Sequence, residues 1–176
     1  CKGFAEETAS ESPAPGGGSI SAYMGALGAA LGTMVANLSS HKAGWDDRWE
    51  EFSDWAERGQ AVMQELLHLV DEDTAAFNRI MAVFDMPKTT DEEKAARKEA
   101  MQKALKEATL VPYETMELCL QSLKVVKLGV GKTNTSAASD LGVASLNLKS
   151  AVQGAWLNVL INLAGIKDEA FVTEYK

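Results

Sequence analysis

The stretch Pro13–Leu38, PAPGGGSISAYMGALGAALGTMVANL, constrains the fold of this chain more than any other. Pro13 and Pro15 disfavour helix at the residues before them, and Gly16, Gly17 and Gly18 open backbone angles closed to other residues. Ser19 is the expected N-cap of the helix that follows, in which the nineteen residues Ile20 to Leu38 carry no formal charge. That helix is crowded with small residues: Ala22, Gly25, Ala26, Gly28, Ala29, Ala30, Gly32 and Ala36. Glycine inside a helix costs about 1 kcal/mol relative to alanine, so these positions require close neighbours to offset it. Gly28/Gly32 and Gly25/Ala29 have the small-xxx-small spacing that lets helices approach. About twenty apolar residues also suffice to cross a bilayer. The Gly, Ser, Thr and Asn content and the charged flanks favour a buried central helix, and no membrane partner is expected. For the glycines two readings stand: a flexible turn, or open backbone N–H groups at a helix N-terminus that admit an anionic or carbonyl-bearing ligand. Neither the Gly-Lys-Ser/Thr ending of a P-loop nor the dinucleotide fingerprint spacing is present.

The remaining chain carries helical periods and no useful period-2 pattern, which predicts an all-α multi-helix bundle around this central helix, forming a dimer. A short helix occupies the residues before Glu11. A long helical stretch runs from about Trp45 to Phe84, with Trp49, Phe52, Trp55, Met63, Leu66, Val70, Phe77 and Met81 at helical spacing and Gly59 marking a break or a tight crossing. Thr90 and Glu93 form a capping box. The helix they open, to about Gly129, should be kinked or divided at Pro112. The last helix, Asp140 to Leu163, has an apolar stripe (Leu141, Leu148, Val152, Trp156, Val159, Leu163). A second stripe holds small and amide-bearing residues (Asp140, Asn147, Ala151, Gly154, Asn158, Asn162). Leu146, Leu157 and Leu160 make the third face apolar too, so the bundle or a second subunit should enclose it. The buried amides have either other helices or a polar ligand as partners, with helix–helix bonds the simpler account.

The 176 residues form one domain, 1–176, expected to be cut short at one or both ends. A net charge of −8 and the lack of a basic run exclude a nucleic-acid surface. Cys1 and Cys119 offer neither a disulfide framework nor metal-ligand spacing, and His41 and His68 stand alone. A cytoplasmic protein without a metal site is expected.

One carboxylate lies on the wrong face. With Val70 at zero and about 100° per residue, Leu66, Phe77 and Ile80 fall at about −40°, −20° and −80°, and Asp73 falls among them at about −60°. Asp71 sits at the border and Glu72 faces away. A carboxylate directed into a bundle is costly unless partnered, and it marks either a structural bond to a cap or cation or a functional site.

Together these residues resemble the cyclodeaminase/cyclohydrolase family. The resemblance rests on Pro13–Ser19, the small-residue helix, Asp71–Phe77 as DEDTAAF, Asn134 with Ser139-Asp140, and the run from Gly154 to Asn162. The family includes formiminotetrahydrofolate cyclodeaminase, often fused to a formiminotransferase, and methenyltetrahydrofolate cyclohydrolase. The resemblance implies a helical homodimer or higher oligomer acting on a reduced folate, polyglutamylated or not, with a formiminotransferase domain as a candidate partner and no cofactor. It implies Asp73 as the catalytic proton carrier. It also implies substrate-binding roles for Pro15, Gly16, Gly17, Gly18, Ser19, Lys42, Asn134, Ser139, Asp140, Asn158 and Asn162. Asp140 would accept the pterin N–H pair, Asn158 and Asn162 would serve its carbonyl, and Lys42 and the glycine amides the glutamate tail or a ring oxygen, with the two ends exchangeable. The expected reaction is closure of 5-formiminotetrahydrofolate to 5,10-methenyltetrahydrofolate with loss of ammonia, a step in histidine degradation and one-carbon metabolism. The cyclohydrolase is the alternative, and an inactive helical dimerisation module the third reading.

Overall fold

A computed structural model describes residues 1–44 and 46–176. Trp45, placed by periodicity at the start of the long helix, lies outside them. The described residues form six α-helices in order: α1 (Lys2–Thr8), α2 (Gly17–Ser40), α3 (Trp49–Phe84), α4 (Asp91–Gly129), α5 (Ala138–Leu163) and α6 (Glu169–Glu174). Short 3-10 turns at Asp46–Arg48 and Thr135–Ala137 lead into α3 and α5. The described residues contain no strand.

Helix α2 is central, packed against α3, α4 and α5. Among the described residues it alone is long and apolar enough to cross a membrane, yet three helices of the bundle pack against it. Its glycines are the reason. A Cβ on Gly25 would stand 2.5 Å from Cys119 Sγ on α4, and one on Gly28 would stand 2.7 Å from Leu148 Cγ on α5. The small residues therefore face inward within the subunit, where Leu66, Leu148 and Val35 fill the core. Gly59 does not break α3. It marks a tight crossing, since a Cβ there would overlap the Thr33 hydroxyl of α2.

The capping box at the start of α4 is present: Glu93 N–H donates to Thr90 Oγ1 at 3.2 Å, and Thr90 N–H donates to Glu93 Oε2 at 3.1 Å. Pro112, expected to kink or divide this segment, does not divide it; α4 runs as one helix of 39 residues. The missing Pro112 N–H leaves the carbonyl of Ala108 without its helical donor. Asn162 of α5 supplies one, its Nδ2 donating to Ala108 O at 2.8 Å. A buried backbone acceptor left alone costs about 1–3 kcal/mol, so this cross-helix bond offsets part of the proline's penalty and lets α4 continue.

The third face of α5 is not covered within the subunit. Leu146, Leu157 and Leu160 are 65%, 66% and 36% exposed, Ile161 beside them is 73% exposed, and Leu27 and Leu38 of α2 are 44% and 47% exposed. At the other end of the periodic pattern, Trp49, Met81 and Phe84 of α3 are exposed too, so the apolar stripe of α3 exceeds what the bundle covers.

Candidate active site

The first turn of α2 is not capped by Ser19. The helix begins two residues earlier, at Gly17, with Gly16 at the N-cap making no side-chain bond and no acid in its first turn. Asp73 of α3 takes that place. Ser19 is fully buried, its hydroxyl donates to Asp73 Oδ2 at 2.8 Å, and its backbone amide bonds the same carboxylate. The approach is possible only because Gly18 lacks a side chain: a Cβ there would overlap the Asp73 carboxylate. The carboxylate thus lies against the positive end of α2. Burial pushes the Asp73 carboxyl above the ordinary carboxylate value, and the Ser19 hydroxyl and amide oppose part of that rise. Helix capping and a raised proton affinity coexist in one group. The neighbouring acids differ: Asp71 is exposed, and Glu72 lies 3.7 Å from Arg79.

Around this carboxylate the structure gathers part of the expected set. Gly16 is the N-cap of α2 and Gly17 and Gly18 are its first two residues, following Pro15. Asn158 of α5 reaches the same place: its Nδ2 donates to Gly154 O at 2.9 Å, and a Cβ on Gly17 would stand 3.3 Å from that nitrogen. Gly154 permits this crossing, because a Cβ there would stand 2.5 Å from Ser21 Oγ. Asp73, Ser19, Asn158 and the glycines therefore share one end of α2.

Lys42, Asn134, Ser139 and Asp140 lie at the other end. Asn134 caps the turn into α5, its Oδ1 accepting from Ser136 N at 3.1 Å and from Lys42 Nζ at 3.4 Å. Its Nδ2 donates to Leu38 O at 3.2 Å, and its backbone N–H donates to Ser39 Oγ at 2.9 Å. Ser139 is exposed and Asp140 half-buried in the first turn of α5. Helix rise places the two ends of α2 about 35 Å apart, so a single subunit does not bring the two groups together. A cavity of about 480 Å³ lies toward the second end, between Ala29, Ala36, Trp55, Val62, Val126 and Leu141, with Arg58 and Lys124 among its lining residues. Asn162 belongs to neither group. Its amide serves the carbonyl freed by Pro112, which is the helix–helix account of that stripe.

Thr74 has no assigned role in the sequence motif Asp71–Phe77, yet its Oγ1 lies 3.3 Å from Ser19 Oγ. Its position beside Asp73 was the available signal; the partner came from another helix. Ser19 is not the N-cap that local sequence predicts, and its buried hydroxyl bonds the Asp73 carboxylate.

Known proteins resemble this chain in sequence and in architecture. The formiminotransferase-cyclodeaminase family model matches residues 1–176. A methenyltetrahydrofolate cyclohydrolase of Methylorubrum extorquens is 37% identical over 171 residues, covering 97% of this chain and 82% of that protein. A formimidoyltransferase-cyclodeaminase of Gallus gallus is 38% identical over 177 residues, covering 97% of this chain and 32% of that one, so the chain spans about a third of the bifunctional relative. Among solved structures, formiminotetrahydrofolate cyclodeaminase from Thermotoga maritima superposes with a TM-score of 0.87 at 30% identity, over 99% of this chain and 83% of that one.

Proposed function

The chain belongs to the formiminotransferase-cyclodeaminase family, and from that premise we propose that it closes 5-formiminotetrahydrofolate to 5,10-methenyltetrahydrofolate with release of ammonia. The observation that carries the reading is Asp73, a desolvated carboxyl group of raised proton affinity held at the glycine turn. In this reaction N10 of the folate attacks the formimino carbon and gives a tetrahedral centre. The leaving nitrogen must gain two protons before it departs as ammonia. Asp73 carries the proton released by N10 to that nitrogen, and solvent supplies the second. A carboxyl group whose proton affinity burial raises can take a proton in its ionised form and return it in its neutral form. Asn158 and the glycine turn would hold the ring system beside Asp73, and Lys42 and Asn134 the opposite end of a folate.

Because these two groups lie at opposite ends of α2, the reading includes a homodimer. Helices α2 and α5 pack together, each leaves large apolar residues exposed, and α2 carries no Asp, Glu, Lys or Arg from Gly17 to Ser40. Pairing of this face with its copy about a two-fold axis would set the Asp73 end of one subunit beside the Lys42 end of the other. Such a site is cytoplasmic in this reading, in the degradation of histidine.

The second reading is the cyclohydrolase, favoured by the Methylorubrum relative that this chain matches over most of its length. Addition of water to methenyltetrahydrofolate would use the same proton carrier. The deciding experiment is turnover of each folate by the purified chain. Ammonia release from 5-formiminotetrahydrofolate faster than hydrolysis of the methenyl compound supports the deaminase, the reverse ratio supports the cyclohydrolase, and failure to bind either folate sinks both.

A further inference from the structure

Two hydroxyl groups stand in line behind the Asp73 carboxyl group. Ser19 Oγ donates to Asp73 Oδ2 at 2.8 Å and lies 3.3 Å from Thr74 Oγ1, where either oxygen can be the donor. We propose that Ser19 is a positioning residue for Asp73, its hydroxyl turning between the carboxylate and Thr74 so that the carboxyl group stays hydrogen-bonded whether ionised or protonated. The functional meaning rests on Asp73 as proton carrier, but the exchange itself concerns the carboxyl group alone and is tested apart from turnover.

An ionised carboxylate only accepts hydrogen bonds, whereas a protonated one also donates. A fixed donor therefore suits one state and opposes the other. A serine hydroxyl both donates and accepts, provided its proton has a second place to go. With Asp73 ionised, the Ser19 proton points at Oδ2 and Thr74 donates to Ser19 Oγ. With Asp73 protonated at Oδ2, that proton points at Ser19 Oγ, and the Ser19 proton turns to Thr74 Oγ1. No heavy atom moves, and no proton leaves the three groups. The Ser19 amide, in the first turn of α2, faces the same carboxyl group and favours its ionised form.

Few charges compete with this arrangement. Helix α2 contributes none. On α3 the near acids are Asp71, exposed, and Glu72, beside Arg79. Arg79 also lies 3.4 Å from Glu107 of α4, whose other neighbour is Lys103 at 3.9 Å. On α5, Asp140 and Lys149 stand two or more turns from Asn158. Burial and the contacts from Ser19 set the proton affinity of Asp73.

The test is a carbon-13 NMR titration of the Asp73 carboxyl in the whole chain, its signal assigned by loss in Asp73→Asn. Ser19→Ala removes the donor to the ionised form and should move the midpoint upward by about one pH unit. Thr74→Val removes the acceptor that the protonated form needs and should move it downward. Thr74→Ser keeps the hydroxyl and should restore the wild-type midpoint. Opposite shifts with recovery in Thr74→Ser support the exchange. Shifts in the same direction, or no shift in either variant, overturn it. Should Ser19→Ala fail to fold, the Thr74→Val and Thr74→Ser pair decides alone: a downward shift recovered by serine supports the exchange, and an unmoved midpoint overturns it. If the midpoints move as expected while the pH profile of turnover stays fixed, the exchange stands and the proton-carrier reading falls.

Discussion

Asn162→Ala should destabilise the chain through a backbone atom on another helix. In the native bundle the Asn162 amide donates to Ala108 O at 2.8 Å, and Ala108 is 6% exposed, so water does not readily replace it. The helical donor that would meet this carbonyl is absent because residue 112 is proline. Stranding a buried carbonyl costs about 1–3 kcal/mol, and that is the loss expected for the single variant. Pro112→Ala returns an N–H to position 112, directed at Ala108 O. In that background Asn162→Ala should cost less than about 1 kcal/mol, leaving a coupling energy of about 1–2 kcal/mol. Urea unfolding of the four proteins at one fixed concentration measures it, since association would otherwise shift the midpoints. Additive losses, within about 0.5 kcal/mol, would refute the cap. Folate affinity adds a second readout: if the amide serves only the α4 carbonyl, it should be the same for Pro112→Ala with and without Asn162→Ala.

Asp73→Asn should lower turnover by ~10²–10⁴ while folate binding persists, as measured by steady-state rates beside equilibrium titration; Glu72→Gln, its carboxylate beside Arg79, should retain most activity. Burial raises the Asp73 pKa, so its contribution to stability is complete below the unfolded value of 3.8 and is lost as pH rises through the folded value. Wild type should therefore lose stability relative to Asp73→Asn across that window, and a pH-independent difference in urea midpoints would contradict the raised pKa. Gly28→Ala should destabilise by about 1–3 kcal/mol through overpacking against Leu148 and the Ala144 carbonyl, whereas Gly142→Ala, whose Cβ meets nothing within 4 Å, should be neutral or stabilising in the same denaturation assay. Leu157→Glu, at a site 66% exposed, should convert the proposed dimer to monomer in sedimentation without loss of helicity, and an unchanged assembly would exclude this face from the interface.

The sequence by itself determined what depends on neighbours along one helix. Periodicity gave the all-α class, Thr90 and Glu93 gave the start of α4, and the 100° step put Asp73 on an inward face. The small residues of α2 announced close packing, because glycine in a helix is tolerated only where something needs the space. Tertiary structure decided whatever depends on which helix lies opposite. Ser19 matches an N-cap locally, but Gly18 lets the Asp73 carboxylate reach the end of α2, so the helix starts earlier and Ser19 becomes a buried donor. Pro112 predicts a kink or break, but a side chain fifty residues away meets the orphaned carbonyl. Sequence likeness gathered Lys42, Asn134 and Asp140 with Asp73 as one site, yet the length of α2 holds them at opposite ends of the subunit. Local spacing fixes the direction of a side chain around its own axis; the partner that fixes its role comes from the crossing of helices, which that spacing does not encode.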